Sequence, residues 1–135
     1  MEKLDIVNIE DLKTDLMFAR KSSGLKLSRV HGMIDVLEIA LDTENESFSV
    51  LKQRLIKAIH LIDDEGIVTV MLSVFAIKKR YQDIHLLRER RKLLSQQLGI
   101  GIDKILFLEK AGINELALII LKIYRKDISI HERIK

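Results

Sequence analysis

The residues able to do chemistry in this sequence are few and scattered. Its four histidines, His31, His60, His85 and His131, lie far apart, and no His-Glu-x-x-His pair sets two imidazoles one helical turn apart for a metal. There is no cysteine, so a disulfide framework and a thiolate zinc site are both excluded. The remaining nucleophiles are serine and threonine, none of them in a Gly-x-Ser-x-Gly elbow. Gly99-x-Gly101-x-x-Lys104 follows a helical pattern and lacks the later glycine and the Lys-Ser/Thr of a phosphate loop. The acidic stretch 42–47 fails as a calcium loop: Ser47 stands where the turn needs glycine, and Gln53 where a bidentate glutamate is needed. Asp63-Asp64-Glu65 has no histidine at ligand spacing and stands at a helix start, where the helix dipole favours acids, so these residues read as caps. The sequence therefore points away from an enzyme and gives no metal and no cofactor.

Charge is the stronger signal. The formal net charge of +3 is unevenly spread. Residues 1–77 carry nine Lys/Arg against thirteen Asp/Glu, a balance of −4; residues 78–104 carry eight against three, +5; residues 105–135 carry six against four, +2. A basic surplus confined to 27 residues invites an anionic partner, with a solvated helix face as the plain alternative.

The elements that must position this surplus are two helices meeting at residues 87–121. Leu87, Arg91, Leu94 and Leu98 recur at helical spacing, Gly99 stands where a C-cap tolerates positive φ, and the short turn Ile100-Gly101-Ile102 follows. A second helix is expected from near Asp103, an aspartate suited to the positive end of the dipole, to about Lys126. Its stripe is Ile105, Leu108, Gly112, Leu116 and Ile119 or Ile120. Gly112 costs about 1 kcal/mol relative to alanine in a helix interior, and a close helix–helix approach would account for it.

Four further helices are expected before this corner: from a cap at Asn8 to about Lys21, from Leu27 to Leu41, from Ser47 to Ile62, and from Asp64 to Lys78. The last is apolar on more than one side and suits the centre of a core, although its β-branched residues also allow a strand. With no proline, few aromatics and abundant leucine, isoleucine, lysine and glutamate, the chain is expected to be all-α. It reads as a compact single domain of about six helices over 1–135: a helical amino-terminal segment (1–77), a helix-turn-helix-like segment (78–126) and a charged tail (127–135). The amino terminus lacks the apolar core of a signal peptide, and the uncharged apolar run 116–121 is too short to span a bilayer, so a cytoplasmic location is expected.

The run Arg90-Arg91…Leu94…Leu98-Gly99…Ile105…Glu109…Gly112-Ile113…Leu116-Ala117 resembles, without a gap, the helix-turn-helix of bacterial sigma-factor region-4-like regulators. The resemblance covers about thirty residues. It implies a DNA-binding regulator whose second helix enters the major groove. The sequence departs from the family pattern where bases and phosphates would be met: Gly101 replaces a serine, Asp103-Lys104 an arginine-threonine type pair, and Leu106-Phe107 two basic residues. Neither leucine nor phenylalanine can pair with guanine or phosphate.

Two functions follow. In the first, a transcription regulator binds duplex DNA through a basic surface with phosphate contacts from Lys78, Lys79, Arg80, Arg88, Arg90, Arg91 and Lys104. In the second, an adaptor on the same scaffold has lost DNA reading and docks a protein partner, or a second copy of itself, through Leu106, Phe107 and Leu108. Exposure separates them: Leu106 and Phe107 exposed together favour the adaptor, whereas burial of both, with the arginines on one open face, favours DNA. Action at a membrane surface ranks below these, since no segment joins a strong basic face to Trp or Phe anchors.

Overall fold

The computed structural model describes residues 7–21 and 34–126. Among these it is all-helical: α1 (Ile9–Arg20), α2 (Asp35–Ala40), α3 (Phe48–Ile59), α4 (Glu65–Val74), a 3-10 turn (Lys79–Tyr81), α5 (Leu87–Leu98) and α6 (Ile102–Tyr124). No strand occurs among the described residues, so the β-branched run of α4 is helical. None of their helices is long and apolar enough to cross a membrane. The expected helix from Leu27 is described only from Asp35 onward; residues 22–33 and the tail 127–135 lie outside the described residues.

Two of the helices start on local side-chain caps and a third on a cap from a neighbouring helix. Asn8 caps α1, its side-chain oxygen accepting from the Asp11 N–H at 2.9 Å. The Asp64 carboxylate caps α4, accepting from the Ile67 N–H at 3.1 Å, which is the role read for that acid cluster. The cap of α2 comes from another helix: the Asp15 carboxylate on α1 accepts from the Leu37 N–H at 3.0 Å. Helix α4 stops at Val74 rather than Lys78, because the chain turns at Ala76 into the left-handed region at φ 60°.

The core gathers around α6, about 35 Å long at 1.5 Å per residue. It packs most extensively on α4 and next on α1. Leu12 and Leu16 of α1, Val70, Met71 and Val74 of α4, and Ile105, Leu116 and Ile120 of α6 are all fully buried. Gly112 is where α6 meets α4: a Cβ there would lie 2.5 Å from Met71 Cε and 2.8 Å from its sulfur. The expected close approach is present, and a side chain on α4 fills it.

The corner follows the expected geometry with a shifted boundary. Gly99 adopts φ 67°, and the N–H groups of Gly99 and Ile100 both donate to the Ser95 carbonyl, at 2.9 and 3.2 Å. The Ser95 hydroxyl donates to the Ile100 carbonyl. Helix α6 then begins at Ile102 with Gly101 in the cap position, not at Asp103. Asp103 makes no capping bond; it stands in the first turn, where the dipole still favours its charge.

Candidate functional site

The two arginines at the middle of α5 both turn into the protein. Arg90 has 0% of its surface exposed. Its Nε donates to the Val74 carbonyl at 3.0 Å, its Nη1 to Ile84 at 2.7 Å, and its Nη2 to Arg20. Val74 and Arg20 are the last residues of α4 and α1, so one guanidinium closes two helix C-termini. Those ends carry partial negative charge, which suits a guanidinium. Arg90 is therefore not placed to contact a phosphate: its planar fork is committed to backbone.

Arg91 is committed as well. It forms a bidentate pair with Glu109 on α6, Nε to Oε1 at 2.7 Å and Nη2 to Oε2 at 2.8 Å. Glu109 is 3% exposed, and its Oε2 also lies 3.0 Å from Nη1 of Arg20. One carboxylate thus ties together α1, α5 and α6. Hydrogen bonding to Glu109 raises the Arg91 pKa. Burial lowers that of Arg20 in spite of Glu109, since Arg20 receives one oxygen and lies beside the Arg91 charge. Both remain protonated arginines, and the group carries two positive charges against one negative.

The other basic residues stay on the surface. Lys78, Lys79, Arg80, Arg88 and Lys104 are exposed. Arg80 is brought to the carboxy-terminal half of α5 by Gln97, whose amide, oriented to satisfy both neighbours, donates to the Tyr81 hydroxyl and accepts from the Arg80 guanidinium. Tyr81 itself is buried, and burial raises its pKa. Arg88 lies nine residues before Gln97, about 14 Å along the helix, and approaches Glu89 at 3.7 Å. Lys104 lies over the Phe107 ring, 5.3 Å from its centroid.

Beside them is an apolar corner. Phe107 is 65% exposed and Leu106 40%, with Leu98 and Ile102 similarly open on the two sides of the turn. Leu108, grouped with the first two from sequence, is half-buried against the core instead. On the α1 side of Leu106 a half-open cleft of ≈ 400 Å³ runs between α1, α5 and α6, reaching the Arg20–Glu109–Arg91 group. Sequence reasoning did not find this cleft or the role of Glu109. The available signal was Arg91 itself, which falls among the leucines of the α5 stripe. Among the described residues no three potential metal ligands converge.

Comparison of the chain with protein-family models, with curated proteins and with solved structures gives no match.

Proposed function

We propose that this chain is a protein-interaction module built on a helix-turn-helix-like scaffold, docking a partner through the apolar corner where α5 meets α6. The observation that carries this reading is the joint exposure of Leu106 and Phe107 at the start of α6. These positions would read bases if the scaffold worked as its sequence resemblance implies. An open phenylalanine flanked by Leu98, Ile102 and Leu106 offers the aromatic and aliphatic anchors on which partner binding concentrates. The commitment of Arg90 and Arg91 to internal contacts supports the same reading, since Arg90 is buried and the fork of Arg91 is held by Glu109.

DNA binding remains a second reading on one observation, the exposure of Lys78, Lys79, Arg80, Arg88 and Lys104. Titration with mixed-sequence duplex DNA at roughly 50 and 200 mM salt separates the two. An electrostatic regulator making one phosphate contact with each of these side chains would lose roughly 500-fold in affinity across that range. The adaptor reading expects weak binding with a shallow slope. Its own test compares the wild-type chain with Phe107→Glu in capture of a partner and reconstitution of the pair. The substitution is expected to abolish binding while leaving the thermal midpoint nearly unchanged, because an exposed side chain contributes within about 0.5 kcal/mol to stability. A partner held equally by both chains would remove the corner from the argument.

A further inference from the structure

The cleft beside Leu106 is a different feature from the corner, and its chemistry is mixed in a particular way. Its apolar lining comes from Met17 on α1 and from Leu106 and Ile113 on α6. Lys13 and Lys110 also line it. At its inner side lie Arg20, Arg91 and Glu109. Among the described residues that inner group has two guanidinium charges shared over one carboxylate. Among the described residues the Arg20 Nε–H is also a buried donor without a hydrogen-bond partner. Buried donors of charged groups are normally paired, and the side chains of Arg20 and Arg91, 15% and 21% exposed, are where an acceptor in the cleft can reach this pair. Lys13 is partly balanced by the exposed Glu10 at 3.7 Å, and this leaves the sign of the cleft positive. The volume of ≈ 400 Å³ falls at the small-molecule end of the binding-site range, roughly 300–1,000 Å³.

We propose that this cleft binds a small amphiphilic carboxylate, with the acid group against Arg20 and Arg91 and an apolar chain along Met17, Leu106 and Ile113. The carboxylate supplies a second anion to the two arginines. The chain covers apolar surface that α1 and α6 leave open at the half-exposed Met17 and Leu106. Neutral apolar molecules gain only the second of these terms, and amphiphilic cations are repelled by the first. The site shares Leu106 with the corner but not Phe107, so a change at Phe107 separates the two.

The probe is decanoate, held below its micellar concentration, with decanol and decyltrimethylammonium as matched controls. Binding to the full chain is followed by calorimetry and by NMR of the Met17 methyl and the arginine Nε–H signals. Decanoate is expected to bind at one saturable site and to shift the Met17 methyl and the Arg20 Nε–H. Decanol is expected at least tenfold weaker, and the cation not at all. Arg20→Gln should weaken decanoate about tenfold. Should that variant fold poorly, two substitutions at exposed positions carry the same test: Lys110→Glu is expected to weaken decanoate about threefold, and Met17→Glu at least tenfold. Equal affinity for decanoate and decanol, indifference to Met17→Glu and Lys110→Glu, or shifts centred on Phe107 instead of Met17 would each overturn the assignment. Loss of partner binding in Phe107→Glu with decanoate binding intact would separate the two sites.

Discussion

Replacing Glu109 by glutamine should destabilise this protein more than replacing either arginine it holds. The carboxylate is 3% exposed and receives three charge-assisted contacts, at 2.7, 2.8 and 3.0 Å. Glutamine keeps the size and one acceptor oxygen but removes the charge. Two guanidinium groups, their side chains 15% and 21% exposed, then face each other with no anion between them. Removing one partner of a fully buried pair costs about 3–5 kcal/mol. The residual exposure of both arginines lets water take up some of this, so the lower end applies, about 3 kcal/mol. In a chain of this length 1 kcal/mol moves the midpoint by roughly 3–4 °C, which gives a fall of about 10 °C. Arg91→Met is the internal control. It keeps the packed stem and leaves Glu109 paired with Arg20, so its cost should be about 1–2 kcal/mol. Chemical denaturation with the slope held constant measures both differences. A loss below about 1 kcal/mol in Glu109→Gln, or a larger loss in Arg91→Met, would refute the view that one carboxylate holds the three helices together.

Arg90→Lys should cost about 3 kcal/mol although it keeps the charge, because an ammonium cannot reach carbonyls on three separate segments at once; denaturant unfolding measures it, and a loss under 1 kcal/mol would sink the double C-cap role. Gly112→Ala gains about 1 kcal/mol of helix propensity, but overlap with the Met71 thioether should cancel that gain and cost up to about 2 kcal/mol net, whereas in the Met71→Ala background the same change should stabilise; a stabilised single variant would refute the close approach. Asp15 gives a pH dependence. Burial raises its pKa above the usual carboxylate value, against the opposing bond from Leu37, so the folded state holds the proton more tightly than the unfolded chain does. Its contribution to stability is then most favourable below the ordinary carboxylate pKa and declines as pH rises through the raised folded value. Asp15→Asn should flatten that region of the stability profile, and an unchanged profile would assign the slope to other carboxylates.

How far the sequence carried depended on whether a feature was local. The helical periodicity of α1, α3, α4, α5 and α6, the caps at Asn8 and Asp64, and the left-handed Gly99 each depend on residues a few positions apart. Those were legible. The carboxylate of Asp15 capping α2 from 22 residues away was not, nor was Glu109 reaching Arg91 across 18. The early end of α4 turned on Ala76 at φ 60°, a conformation that alanine does not announce. Gly112 was half legible: its cost implied a neighbour, but only the fold could show that the neighbour is Met71.

The arginine pair shows why a basic run is ambiguous evidence for a nucleic-acid surface. Counted from sequence, residues 78–104 have a surplus of five positive charges. Arg90 closes helix ends, and Arg91 is held by Glu109, which lies outside that run. The six cations left in that run face three exposed acids, a surplus of three rather than five. Arg88 is set apart from Arg80 and Gln97 by about 14 Å of helix. At a slope of about −0.9 per phosphate neutralised, the six cations left exposed allow a shallower salt dependence than the eight counted over the whole run. Freeing Arg90 and Arg91 for phosphate would mean opening the contacts that join α1, α5 and α6. Substituting them would therefore lower any affinity through loss of the fold, whether or not DNA is touched. Neutralising Lys78, Lys79 and Lys104 is the informative experiment, because those side chains are exposed and none carries a helix junction. If their removal leaves DNA affinity at low salt unchanged, the basic surplus is a solvated face and the corner at Leu106 and Phe107 is the surface left to explain.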